Sequence, residues 1–140
     1  MILVDTSVLI DYLKGRENKP VSLFDEIIDK HIPFGICEFI YLEVLQGSKT
    51  TTEFAKLKEY FETIPFYYLG AGKESYEKAA NLNLTCRRSG VTIRSTIDLL
   101  ITQIVIENNL YLLHNDGDFT NIAKVISALK IYDEQIASKW

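Results

Sequence analysis

The sequence predicts an α/β fold, with a central parallel sheet covered by helices on both faces. Two observations carry this. Short apolar runs that read as buried strands alternate with longer segments whose apolar residues recur at helical spacing, the pattern of strand–helix–strand units. No repeat, low-complexity tract or linker rich in Pro, Gly and Ser divides the chain, so residues 1–140 are expected to form a single domain.

In order along the chain, "ILVD" (2–5) is a first strand, and "TSVLIDYLKG" is a helix carrying Val8, Leu9, Tyr12 and Leu13 on one stripe before Gly15. "SLFDEIIDKH" (22–31) is a second helix, "PFGIC" a second strand, and "EFIYLEVLQG" a helix stopped by Gly47 as a C-cap. "TEFAKLKEYFETI" (52–64) places Phe54, Leu57, Tyr60 or Phe61, and Ile64 in helical register, and "PFYYL" supplies aromatic strand material. "KESYEKAANLNLTCRRSG" and "TIRSTIDLLITQIVIENN" are two further helices. The second has Ile97, Leu100 or Ile101, Ile104 and Val105 as its core face and Ser95 or Thr96 as its cap. "LYLLHN" is a strand, "FTNIAKVISAL" (119–129) a last helix and "KIYD" a last strand.

Composition excludes several classes. The apolar runs are too short and too polar to span a bilayer, and "MILVDTSVLI" lacks the basic start of a signal peptide, so a cytoplasmic protein is expected. Two cysteines, Cys37 and Cys86, in no CxxC pair, and two histidines, His31 and His114, offer neither a disulfide framework nor a zinc site. A net charge of −4 and a pI near 5.2 deny the protein a broad basic surface, so any nucleic acid has to be met by a local patch.

Most acids fall on polar helix faces. Four do not: Asp5 ends the first strand, Glu43 interrupts "FIYLEVL", Asp98 interrupts "STIDLLI", and Asp116 follows "LYLLHN". An ionised carboxylate in apolar surroundings costs several kcal/mol, roughly, unless a counter-charge compensates it, and no Lys or Arg is built into these segments. In an open parallel sheet the C-terminal strand ends gather at a crevice. There Asp5 and Asp116 meet, with Asp98 favoured as an anion by its helix dipole and Glu43 reaching in from its own helix. Carboxylates without His or thiolate suit hard Mg²⁺ or Mn²⁺. Each residue also has a local explanation. Asp5 with Thr6 and Ser7 fits a helix cap, Glu43 a surface face, Asp98 a first-turn dipole partner and "HNDGDF" a turn. The joint pattern favours the metal.

Three motifs carry a resemblance over nearly the whole chain: "LVDTSVLIDYL", "YLEVLQG" and "GVTIRSTIDLLITQIVIENNLYLLHNDGDF". The chain resembles the PIN-domain ribonucleases, and among them the VapC-type toxins of type II toxin–antitoxin pairs. The resemblance implies a three-layer α/β/α fold and an acidic quartet of Asp5, Glu43, Asp98 and Asp116 as catalytic residues. It also implies Mg²⁺, with Mn²⁺ the alternative, held by Asp5, Asp98 and Asp116, with Asp118 an additional or alternate ligand. The reaction implied is hydrolysis of RNA by activated water, leaving 5′-phosphate and 3′-hydroxyl ends, and the partners are an RNA substrate, a cognate VapB-type antitoxin and a second copy in a homodimer. Thr102 stands where relatives often carry alanine, and "TIRST" replaces a commoner proline-containing approach to the third acid. Arg87, Arg88 and Arg94 are candidates for gripping RNA, though a solvated face explains them as well. The stretch "YFETIPFYYL" is a candidate partner contact or core.

Two rivals are weighed. A phosphoaspartate phosphatase wants an aspartate two residues after Asp5, where Ser7 stands, and a receiver domain wants an acidic pair near Asp5. A catalytically silent PIN-fold binding module is the non-enzymatic alternative, against which the intact acids argue.

Overall fold

Ile2, Leu3 and Val4 carry no polar side-chain atom, and all three are fully buried; they form the central strand β1 (Ile2–Val4) of a computed structural model that describes residues 1–140. β1 pairs with β2 (Phe34–Cys37) on one side and with β4 (Tyr111–Leu113) on the other, while β3 (Phe66–Tyr67) and β5 (Lys130–Ile131) form the edges. All pairings are parallel, in the order β3-β2-β1-β4-β5. Parallel neighbours need long crossovers. Helices α1 (Thr6–Leu13) and α2 (Lys19–Asp29) connect β1 to β2, and α3 (Glu38–Gln46) and α4 (Thr51–Phe61) connect β2 to β3. Helices α5 (Lys73–Arg88) and α6 (Thr96–Glu107) lead to β4, α7 (Gly117–Val125) leads to β5, and α8 (Glu134–Ala137) follows. The result is the three-layer α/β/α architecture expected from the sequence.

One continuous core fills the space between layers, with Phe24, Phe61 and Phe119 its largest buried side chains. Each such burial contributes about 1.5–3 kcal/mol. Tyr12, Phe24 and Phe34 pack edge to face, at centroid separations of 4.9 and 5.2 Å, and lock α1 and α2 to β2. Gly35 lets β3 approach β2: a Cβ there would stand 2.6 Å from the Pro65 carbonyl oxygen, which accepts from Ile36 N. No helix is long and apolar enough to cross a membrane.

Several expected boundaries move. α2 starts at Lys19, three residues before the expected Ser22, because the Asn18 side chain accepts from Val21 N and Pro20 sits in the first turn, where its missing N–H costs nothing. Gly47 does cap α3, but in a right-handed conformation (φ −77°) that needs no glycine. α6 begins only at Thr96, preceded by irregular backbone over 91–95, and Ser95 occupies its cap position without a side-chain hydrogen bond. The last long helix spans 117–125 rather than 119–129, and α8 was not anticipated. α6 is also buried nearly all round from Leu100 to Val105, including Thr102, whose hydroxyl donates to the Asp98 carbonyl at 2.7 Å. In "YFETIPFYYL" the roles divide, with Phe61 in the core and Tyr60 and Tyr68 exposed.

Candidate active site

Successive strands run from β1 outward to β3 on one side, and β4 and β5 fill the other, so the order in which strands are laid down switches sides between β1 and β4. A crevice opens at the C-terminal ends of these two strands, as the topology requires. It has a volume of about 500 Å³ and is lined by Asp5, Asp11, Glu43, Asp98 and Asp116 together with Thr6, Ser7, Ile10, Arg16 and Asn115. The expected quartet of Asp5, Glu43, Asp98 and Asp116 therefore shares one cavity.

Each acid is placed by local structure. Asp5 follows β1, its N–H still bonded to Leu113 O, and caps α1: its Oδ2 accepts from Ser7 N at 3.1 Å and from Ser7 Oγ at 2.6 Å. Asp116 caps α7 in the same way, its Oδ1 accepting from Asp118 N at 2.9 Å. Glu43 points from α3 to α1, where Thr6 Oγ1 donates to its Oε1 at 2.9 Å. Asp98 lies in the first turn of α6 and is buried. Oxygens of Asp98, Asp116 and Asp118 lie within 4.8 Å of one another, the tightest grouping of carboxylates in the site. The capping and dipole roles considered for Asp5 and Asp98 thus coexist with convergence on the crevice.

The electrostatics register the crowding. Burial, followed by repulsion from Asp116, Asp5, Asp118 and Glu43, pushes the Asp98 carboxyl up to about 7. Burial raises Asp5 to about 6 against the hydrogen bonds of Ser7, which favour its anion, with Glu43 adding repulsion. Burial lowers His114, whose Nδ1 accepts from Asp116 N at 3.1 Å, so this histidine is a neutral structural neighbour. At the rim Arg94 Nη2 donates to Asp118 Oδ1 at 3.0 Å. Arg94, a candidate RNA contact by sequence, is thereby engaged with an acid of the cluster, while Arg87 and Arg88 are exposed in the last turn of α5.

Asp11, Arg16 and Asn18 were not anticipated at the site, whereas Asn115 was expected as a hydrogen-bond donor there. Asp11 is buried, accepts from Arg16 Nη1 at 2.9 Å, Asn18 Nδ2 at 3.1 Å and Asn115 Nδ2 at 3.0 Å, and these bonds, led by Asn115, hold its carboxyl below the ordinary range. The signal was available, since Asp11 interrupts "VLIDYL" as Glu43 interrupts "FIYLEVL". Asn115 N also donates to Ser7 Oγ at 2.9 Å, so Asp11, Asn115, Ser7 and Asp5 form one chain of hydrogen bonds across the switch point.

The donor set is carboxylate oxygen alone, and burial together with mutual repulsion disfavours the anions of Asp5 and Asp98. That chemistry fits a hard divalent ion such as Mg²⁺ or Mn²⁺ and disfavours zinc or copper. An open parallel sheet with carboxylates gathered at its switch point defines an α/β protein with an acidic crevice, whose oxygens are of the type that holds a divalent ion. The chain belongs to the PIN domain family, whose model it matches over residues 2–125. It is 27% identical over 126 residues to VapC ribonuclease Mb1587 of Mycobacterium bovis and to ribonuclease VapC11 of Mycobacterium tuberculosis, spanning 89% of this chain and 93% of each relative. Its fold is similar to those in VapBC2 from Rickettsia felis bound to a promoter DNA fragment (TM-score 0.70, 18% identity) and VapBC-1 from nontypeable Haemophilus influenzae (TM-score 0.68, 23% identity). Both likenesses cover 95% of this chain and 98% of the other.

Proposed function

We propose that the protein is a divalent-metal-dependent endoribonuclease, the toxin of a type II toxin–antitoxin pair, which hydrolyses RNA phosphodiester bonds. The observation that carries this reading is the convergence of Asp5, Glu43, Asp98 and Asp116 on one cavity of a PIN-domain chain, with Asp118 beside Asp98 and Asp116. The names of the VapC relatives support RNA as the substrate.

Asp98, Asp116 and Asp118, with Asp5 from the neighbouring strand, are the residues that would hold the ion. When bound, such an ion supplies Lewis-acid polarisation of the phosphate and acidifies water. The remaining chemistry belongs to the chain. Glu43 has Oε1 fixed by Thr6, which leaves Oε2 to orient a water molecule and accept its proton. Ser7 holds Asp5 as an anion in one rotamer and ties the β4–α7 turn to it through Asn115 N. Water attack leaves 5′-phosphate and 3′-hydroxyl ends.

The VapBC structures whose fold this chain shares support a VapB-type antitoxin as partner. An acidic crevice suits a basic segment of such a protein. Cytoplasmic action, where RNA and antitoxin meet, and a homodimer complete the reading. The test is incubation of antitoxin-free protein with an RNA panel and Mg²⁺ or Mn²⁺, beside an Asp98→Asn control and a chelator. Cleavage lost in both controls is expected. Cleavage that survives either one rejects the mechanism, and metal uptake without any cleavage points to a silent binding module.

A further inference from the structure

An RNA phosphate entering this crevice meets five carboxylates among the lining residues and one cationic side chain, Arg16. Metal charge offsets the acids at the reacting phosphate, but the flanking backbone still has to be held against a negative wall, and a fixed cation at the mouth is the group that does so. Arg16 is fixed twice. Gly15, at φ +70°, ends α1 in a left-handed turn in which Gly15 N donates to Tyr12 O and Arg16 N to Asp11 O, at 3.1 and 2.9 Å, the Schellman arrangement. The side chain then folds back, so that Nη1 meets Asp11 Oδ1 at 2.9 Å. The other guanidinium donors have no protein acceptor, and the side chain stays 58% exposed.

A surface ion pair of this kind adds little to stability. Asp11, however, is buried and gathers Asn18 and Asn115 as well, so its carboxylate cannot swing to follow solvent. Its two oxygens are already engaged by Arg16, Asn18 and Asn115, which marks it as a support for Arg16 and Asn115 and not as a metal ligand.

We infer that Arg16 receives the RNA backbone at the mouth of the site and that Asp11 is its positioning residue. This deepens the ribonuclease reading and rests on it. The test uses a labelled single-stranded RNA with the full-length chain. Its binding is measured by anisotropy on the cleavage-deficient Asp98→Asn background with Mg²⁺, and its cleavage with Asp98 intact. Arg16→Ala is expected to raise Kd and KM by about tenfold, with a smaller change in kcat. It also makes the dependence of log Kd on log salt shallower by about 0.7, the value of one single-strand phosphate contact. Arg16→Lys keeps the salt slope and recovers part of the affinity. Asp11→Asn raises KM in the same direction, and Arg16→Ala adds little on top of it. Lys130→Ala, which removes the same charge at the start of edge strand β5, outside the crevice, is the reference. Thermal melts confirm folding; Arg16 is exposed, so its variants remain decisive if Asp11→Asn unfolds. An Arg16→Ala protein that binds and cleaves like Lys130→Ala overturns this inference alone. A wild-type chain that neither binds nor cuts RNA, yet is stabilised by Mn²⁺, overturns the ribonuclease reading and this inference with it.

Discussion

Replacing Asp98 by Asn is expected to stabilise the metal-free protein while abolishing its chemistry. The Asp98 carboxyl is moved from the ordinary 3.8 to about 7 by burial and by its acidic neighbours. At about 1.4 kcal/mol per pH unit that gap corresponds to roughly 4 kcal/mol, and water entering the open crevice reduces it to about 2 kcal/mol. The sign follows from proton binding. Below pH 3.8 the carboxyl is protonated in both states. Between 3.8 and about 7 the unfolded chain gives up the proton while the folded chain keeps it, so stability falls with rising pH. Above about 7 the full penalty is present. Asparagine has the same shape and no charge to lose. In EDTA at pH 8, Asp98→Asn should therefore melt about 6 °C above wild type, at about 3 °C per kcal/mol for a domain of this size, and the two should converge near pH 4.5. Circular dichroism melts across this range measure the difference. A variant that melts below wild type at pH 8, or a gap that does not close on acidification, refutes the account of a crowded, uncompensated anion.

Three other outcomes follow from the same geometry. Added Mg²⁺ or Mn²⁺ should raise the melting temperature more at pH 8 than at pH 5.5, because Asp98 and Asp5, with carboxyls at about 7 and about 6, must be deprotonated to act as ligands; an equal shift at both values would contradict this. Ser7→Ala removes hydrogen bonds that favour the Asp5 anion, so the acidic limb of the activity profile should move to higher pH, and urea unfolding should show a loss of about 1 kcal/mol. Gly35→Ala should cost about 1–3 kcal/mol in the same assay, since the new methyl must displace the Pro65 carbonyl and the Tyr67 ring; a neutral result would show that β3 shifts freely.

The fold was legible because the strands are short, bare apolar runs and the helices carry clear stripes, as in Val8, Leu9 and Tyr12 of α1. The gathering of the four acids in one crevice was legible because Glu43 and Asp98 interrupt apolar runs and Asp5 and Asp116 end them. Other features depend on contacts that span the chain. Asn115 and Asp11 are separated by 104 positions, and nothing local to either announces that they meet. The pairing of Arg94 with Asp118 depends equally on how the irregular approach to α6 folds. α2 began early because a cap, not a hydrophobic stripe, decides where a helix starts, and Asn18 with Pro20 supplied one.

Asp5, directly after β1, and Asp116, three residues after β4, each open the next helix, with one carboxylate oxygen already engaged by a backbone N–H two residues on. Alanine scanning at these positions would merge two separate injuries, a frayed helix and the loss of the ligand proposed for the ion, into one drop in activity. Asparagine starts helices about as well as aspartate, so comparing the two substitutions divides what these side chains do for architecture from what they do for reactivity.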